Sequence, residues 1–284
     1  MTDLIKNDDH FILISLLITV CMQMSFFAIA YTLKFDKVTD LAGTSNFAIL
    51  ALLTLWLGGD LSFPKILASF MVVLWSVRLG TYLFYRILVW GKDKRFDQIR
   101  TKFWRFLGFW IYQILWVFIL SLPVTYFNSL ENEFKLEDNY LSYVGLVLFF
   151  VGFEIEIWAD AAKFKHKQKG ENWCTAGPWK YSRHPNYFGN ILLWIGIFLF
   201  CYSGGVPIWT IAGVLWITFL LFFVSGINLL EDSSNKKYGD NPEYRTYKNQ
   251  TSIFIPLQKS LYCKIPESIR STLLLDFRMY SKSQ

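Results

Sequence analysis

The chain has only three histidines, His10, His166 and His184, in 284 residues. Three scattered imidazoles cannot build the multi-histidine di-iron centre of a membrane desaturase, so that chemistry is excluded. Nothing reads GxGxxG after a strand or GxxxxGK[ST], which excludes a Rossmann or P-loop nucleotide site as far as motifs decide it. Any nucleotide must therefore be held by helix ends. The four cysteines, Cys21, Cys174, Cys201 and Cys263, lack paired spacing, so neither a disulfide framework nor a zinc site is expected. Without a basic helix or an aromatic stacking module, no nucleic-acid partner is expected either. No internal repeat or low-complexity segment is evident.

Apolar surface is what the sequence has in excess. Hydrophobic residues make up 54% and aromatic residues 19% of the chain, too much for an ordinary soluble domain. The expectation is an all-α membrane helix bundle of about seven spans. Met1 to His10 is polar and leans acidic, whereas a signal peptide would carry a positive leader and a shorter apolar core, so Phe11 to Leu33 reads as the first span. Asn46 to Leu57 gives a short second span that must borrow flanking residues. Ile66 to Trp90, Phe103 to Phe127, Tyr140 to Ala162, Asn186 to Ser203 and Pro207 to Leu230 supply the other five. The third carries Arg78 and Arg86 eight residues apart, costly in hydrocarbon unless they snorkel or face a wet cavity.

Loop charge alternates. Between the third and fourth spans Lys92, Lys94, Arg95, Arg100 and Lys102 outweigh Asp93 and Asp97. Between the fourth and fifth, Glu131, Glu133, Glu137 and Asp138 outweigh one lysine. From Lys163 to Pro185 six basic residues face only Glu171, and from Glu231 onward nine basic residues face six acidic ones. The positive-inside rule then places the C-terminus in the cytosol and the N-terminus outside.

One stretch concentrates chemistry: Trp179 to Asn190, reading WKYSRHPNYFGN. Pro185 suits the first turn of a helix, so the sixth span starts there with its free N–H groups facing Arg183 and His184, a natural anion site. A plain interfacial anchor of Arg, Tyr and Trp accounts for the same residues. On the fifth span, Glu156, Asp160, Lys163 and Lys167 follow steps of four, three and four and share one helix face. That face reads either as structural charge pairing or as the polar wall of a cavity for a charged cofactor. In the tail, Tyr244 and Tyr247 sit on a short amphipathic helix, which serves equally as an interfacial anchor.

YSRHPNYFG, Tyr181 to Gly189, resembles the C-terminal domain of steroid 5α-reductase-like membrane proteins, especially an uncharacterised subgroup. The shorter RHPxYxG is shared with isoprenylcysteine and phospholipid methyltransferases. The resemblance runs from the fifth span to Pro256 and is weaker over Asp40 to Gly43, Arg78 to Gly80, Arg86, Asp93 to Phe96 and Gln113. It divides the chain into N-terminal helices (1–130), a reductase-like domain (131–258) and a cytosolic tail (259–284). It implies an NADPH-dependent membrane oxidoreductase that reduces a C=C bond conjugated to a carbonyl in a hydrophobic, lipid-like substrate among membrane lipids, acting as a monomer.

On this resemblance Asp160, Lys163, Lys167, Tyr181, Arg183, Asn186, Asn190, Glu231, Tyr244 and Tyr247 are the expected cofactor contacts, with Arg86 and Arg95 as guanidinium forks for phosphate. His184, Tyr187 and Tyr85 are the catalytic candidates, with Tyr82 beside them, and no metal is expected. Two positions depart from the family: Glu156 stands where an amide is expected and Asn190 where an acid is expected. S-adenosylmethionine is the alternative cofactor, and a catalytically degenerate member the non-enzyme alternative. The expected location is a multi-pass protein of the endoplasmic reticulum membrane in a eukaryote, or of the inner membrane in a bacterium.

Overall fold

The computed structural model describes residues 8–34, 38–91, 99, 101–131, 134, 139–170, 172–277 and 280. Among these the architecture is all helical, and the sole strand-like feature is an isolated bridge between Ser182 and Ser252. Seven helical stretches are long and apolar enough to cross a membrane. The chain is therefore a multi-pass membrane protein. Its helices are α1 Ile12–Leu33, α2 Thr39–Gly58, α3 Phe63–Trp90, α4 Phe103–Ser129, α5 Tyr140–Gln168, α6 Pro185–Ser203, α7 Ala212–Phe219, α8 Ile227–Tyr238, α9 Pro242–Gln250, α10 Lys259–Tyr262 and α11 Glu267–Leu273.

Three boundaries differ from those expected, each for a local reason. The second span is a full 20-residue helix because its polar start is used for packing rather than left in a loop. The Thr39 carbonyl accepts from the Gln113 amide at 2.9 Å, and Gly43 lies so close to Gln113 and Trp116 that a Cβ there would sit 2.8 Å from the amide nitrogen. The fifth span continues as helix past Ala162 to Gln168, carrying its basic residues on the last turns where cations favour the helix dipole. The seventh span is broken into a 3-10 turn at Ile208–Ile211, α7, a π turn at Leu220–Val224 and, after Ser225-Gly226, α8. Gly226 is needed at the break, since a Cβ would lie 2.2 Å from the Leu221 carbonyl.

The chain divides into two compact units, residues 1–146 with 197–216, and residues 147–196 with 217–284. In the first, α1 to α4 pack around Phe27, Ala42, Phe106 and Trp110, and around Phe47 with its ring edge-on to Trp75. Amides satisfy backbone and side chains inside it: Gln23 donates to Asn46 Oδ1 at 2.9 Å, and Asn128 donates to Thr54 Oγ1 at 2.9 Å. Lys65, fully buried, pairs with Asp60 at 2.9 Å. Arg78 lies over the Tyr82 ring at 5.5 Å, and Arg86 reaches Asp40 at 3.5 Å.

The second unit centres on Ile191, Phe222, Ile227, Ile253, Phe254 and Tyr280. The loop before α6 is pinned to the segment after α9. Arg183 N donates to the Ser252 carbonyl at 2.8 Å, Leu257 N to the Tyr181 carbonyl at 3.0 Å, and the Ser182 hydroxyl to the Phe254 carbonyl at 2.8 Å. These bonds hold the RHPNY loop at one end of α6.

Candidate functional site

The site is built on a glycine crossing. Gly152 on α5 and Gly189 on α6 meet backbone to backbone: a Cβ on Gly152 would lie 2.5 Å from the Gly189 carbonyl oxygen, and one on Gly189 2.5 Å from the Gly152 oxygen. Contacts this close need residues without side chains. From that point toward the C-terminus of α5, its acidic residues meet the amides of α6. Glu156 faces Asn190, whose Nδ2 stands 3.5 Å from both carboxylate oxygens. One turn on, Asp160 faces Asn186 at 3.4 Å. Glu156, Asp160 and Asn190 are buried, while Asn186 is half-buried at the open end of this ladder.

Beside it lies a closed charge cluster. Arg183 Nη1 donates to Glu231 Oε2 at 2.6 Å, and its Nη2 to Asp276 Oδ1 at 3.3 Å. His184 Nε2 bonds Glu231 Oε1 at 2.8 Å, and the imidazole stacks flat on Tyr187 with ring centres 5.7 Å apart. A carboxylate paired to arginine only accepts, so Nε2 carries the histidine proton and Nδ1 is the bare acceptor. Nδ1 has no hydrogen-bond partner among the described residues, and neither has Arg183 Nε. Burial pushes the His184 pKa down, more than the Glu231 bond raises it, so the ring is neutral at pH 7. Burial also works against the charge on Arg183, yet Glu231 and Asp276 outweigh it and raise the guanidinium pKa.

A cleft of about 570 Å³ opens in the same unit. His166, Lys180 and Lys259 are its basic lining, opposed by Glu243, with Trp173, Tyr247 and Gln250 on its walls. The Oε1 atom of Gln250 is buried and has no hydrogen-bond partner among the described residues. Two hydrogen bonds connect cleft to ladder. Tyr247 donates to the Trp179 carbonyl at 2.8 Å, and the Trp179 indole donates to the Ala159 carbonyl at 2.8 Å.

Of the residues singled out by sequence, Asp160, Asn186, Asn190, Arg183, His184, Glu231 and Tyr187 thus come together around the start of α6. Lys163 stands over the Trp179 ring at 4.4 Å, and Lys167 lies on the exposed side of the last turn of α5. Tyr244 is buried against Trp173 and Tyr238, and burial pushes its phenol up to about 12. Of the expected cofactor contacts Tyr247 lines the cleft, while Tyr181 is exposed. Tyr85 and Arg86 lie on α3 of the first unit, Tyr85 exposed, and Arg95 falls outside the described residues.

Sequence reasoning missed Asp276 and Tyr262. Tyr262 donates its hydroxyl to Asp276 Oδ2, so both belong to the Arg183 cluster. The available signal was one acid in the apolar run Leu273 to Phe277. It also missed that the two departures from the reductase pattern, Glu156 and Asn190, face one another.

A family model described as "Protein of unknown function (DUF1295)" matches residues 26–251. An uncharacterized protein of Schizosaccharomyces pombe is 26% identical over 224 residues, covering 66% of this chain and 62% of the relative, so the chain spans less than two thirds of that protein's length. No solved structure matches.

Proposed function

The chain belongs to the DUF1295 family, whose description assigns no reaction, and from the residues of its second unit we propose that it is an NADPH-dependent membrane oxidoreductase. Its substrate on this reading is a lipid-like molecule with a C=C bond conjugated to a carbonyl. The observation that carries the proposal is the α5–α6 ladder, in which two carboxylate–amide pairs are held by a glycine crossing at the end of an apolar helix pair. Carboxylates buried in a membrane bundle are expensive, and functional sites are where such groups are found. The resemblance to steroid 5α-reductases expects an acid at Asn190. Glu156 supplies a carboxylate at that place from the facing helix, which favours a working site over a degenerate one.

The residues fit a phosphorylated dinucleotide. Lys180, Lys259 and His166 suit its phosphates, and the Tyr247–Trp179 relay leads from their cleft to the Ala159 carbonyl, next in sequence to Asp160, which faces Asn186, whose amide can hydrogen-bond a carboxamide. NADPH, when bound, supplies a hydride. Asp160 orients the Asn186 amide, and the glycine crossing fixes the distance between the two helices. Neutral His184, held by Glu231 with Nδ1 bare, carries no proton on Nδ1 to give at pH 7. The proton that completes reduction therefore comes from another group. Tyr187, stacked on the imidazole, is a candidate for that donor.

S-adenosylmethionine carries a cationic sulfonium and no phosphate, so a cleft lined by two lysines favours NADPH over it. The loop charges support a cytosolic site, in the endoplasmic reticulum membrane or a bacterial inner membrane. The test is thermal unfolding of the purified protein with each cofactor, since a ligand that binds the native state raises its melting point. NADPH should shift wild type and fail to shift Asn186→Ala and Asp160→Ala. A shift by S-adenosylmethionine alone would replace this reading with methyl transfer.

A further inference from the structure

The family match stops at residue 251, yet the Arg183 cluster is completed from beyond it. Residues 259–277 form a strap of two short helices and an irregular end. Tyr262 and Asp276 bond one another, Phe277 packs on Phe222 and Phe223, and the Tyr280 hydroxyl donates to the Phe222 carbonyl at 2.6 Å. Little holds the middle of the strap, because α11 buries no residue and α10 buries only Tyr262. Segments with few buried contacts are the ones that open locally.

What the strap delivers is a carboxylate. Arg183 pairs with the buried anions Glu231 and Asp276, and buried Lys248, whose ammonium bonds Asn235 at 2.8 Å, adds a second positive charge within their field, so the charges balance without any ligand. Asp276 engages the guanidinium through one nitrogen at 3.3 Å, a long bond beside the 2.6 Å bond to Glu231. Arg183 Nε, on a residue only 4% exposed, keeps an unspent donor beside it among the described residues. A guanidinium fork with an unused donor suits a phosphate, which offers three oxygens where Asp276 uses one.

We propose that Asp276 is an internal stand-in for an anionic ligand: it latches the strap onto Arg183, and a phosphate-bearing ligand takes its place when the strap lifts. The proposal names a regulation of the site described above and rests on that reading for the identity of the ligand alone. The family-matched part of the chain then carries the anion site, and the terminal segment closes it.

The test compares wild type with Asp276→Asn, which keeps the shape and removes the charge, in full-length protein in detergent micelles. NADPH affinity should rise about tenfold in the variant, the gain expected for a latch closed nine-tenths of the time. Backbone amides of residues 262–277 should exchange hydrogen faster when NADPH is added. Tyr262→Phe, which leaves the charge and removes only the hydroxyl that holds it, should shift affinity the same way by a smaller factor, and covers the case in which Asp276→Asn folds poorly. Equal or weaker NADPH binding in these variants, or added protection of 262–277, overturns the latch and makes Asp276 a structural counter-ion. Inorganic pyrophosphate separates the two readings. If NADPH binds neither protein but pyrophosphate binds Asp276→Asn more tightly than wild type, the latch stands and the dinucleotide falls; if neither anion binds either protein, both fall.

Discussion

Replacing Gly152 by alanine tests the packing on which the site depends. The added Cβ would lie 2.5 Å from the Gly189 oxygen and 2.5 Å from the Leu193 nitrogen, where ordinary contact starts at 3.4 Å. Both neighbours are backbone atoms, so no side chain can rotate away, and the helices must part by about an ångström at this point. Overpacking of this kind costs about 1–3 kcal/mol, offset by up to about 1 kcal/mol from the better helix propensity of alanine. The net loss, on the order of 1–2 kcal/mol, corresponds to a melting point lower by roughly 3–6 °C. Parting the helices also lengthens the Glu156–Asn190 and Asp160–Asn186 contacts, already 3.5 and 3.4 Å, so cofactor affinity should fall together with stability. Gly189→Ala should behave alike, and the double variant should lose less than the sum, since the gap opened by one methyl admits the other. Intrinsic tryptophan fluorescence during heating in micelles reads the effect. Gly108→Ala on α4, whose Cβ position meets nothing within 4 Å beyond its own helix backbone among the described residues, is the control and should melt at or above wild type. If Gly152→Ala melts with that control, the crossing is not close-packed and the ladder is not held as described.

Further outcomes follow from the charge cluster. Arg183→Ala leaves Glu231 and Asp276 buried without their cation and should cost about 3–5 kcal/mol; adding Glu231→Gln and Asp276→Asn should recover most of it in the same unfolding assay. The His184 pKa lies below its ordinary 6.5 in the fold, so between those two values the unfolded chain binds the extra proton and stability falls as pH drops below about 6.5. Melting points from pH 7.5 to 5 should therefore decline more steeply for wild type than for His184→Asn, and parallel curves would remove the buried neutral imidazole. Tyr247→Phe breaks the hydrogen bond to the Trp179 carbonyl without leaving the cleft, and should weaken NADPH binding while lowering stability by about 0.5–1.5 kcal/mol.

The fold was legible because bilayer length and hydropathy act over whole segments: six of the seven expected spans form continuous α-helices, and the seventh is a helical stretch broken at Ser225-Gly226. Boundaries were not, where polar residues serve packing. Thr39 and Gly43 fall before the expected second span, yet they face Gln113 and Trp116 within the bundle. The gathering of Arg183, His184 and Asn186 was visible because one short motif carries all three beside a helix start. Asp276 was not visible, because an acid 93 residues away reaches Arg183 through tertiary folding that no local pattern records. Glu156 and Asn190 read separately as two departures, and only the helix crossing makes them one pair.

The most direct measurement is transfer of label. Purified protein is incubated with a lipid extract and NADPH carrying deuterium at the nicotinamide C4 position, and the lipids are examined by mass spectrometry. The account predicts deuterium in a saturated lipid product made by wild type and not by Asp160→Ala; unlabelled lipids with NADPH, and methyl label from S-adenosylmethionine in their place, would contradict it.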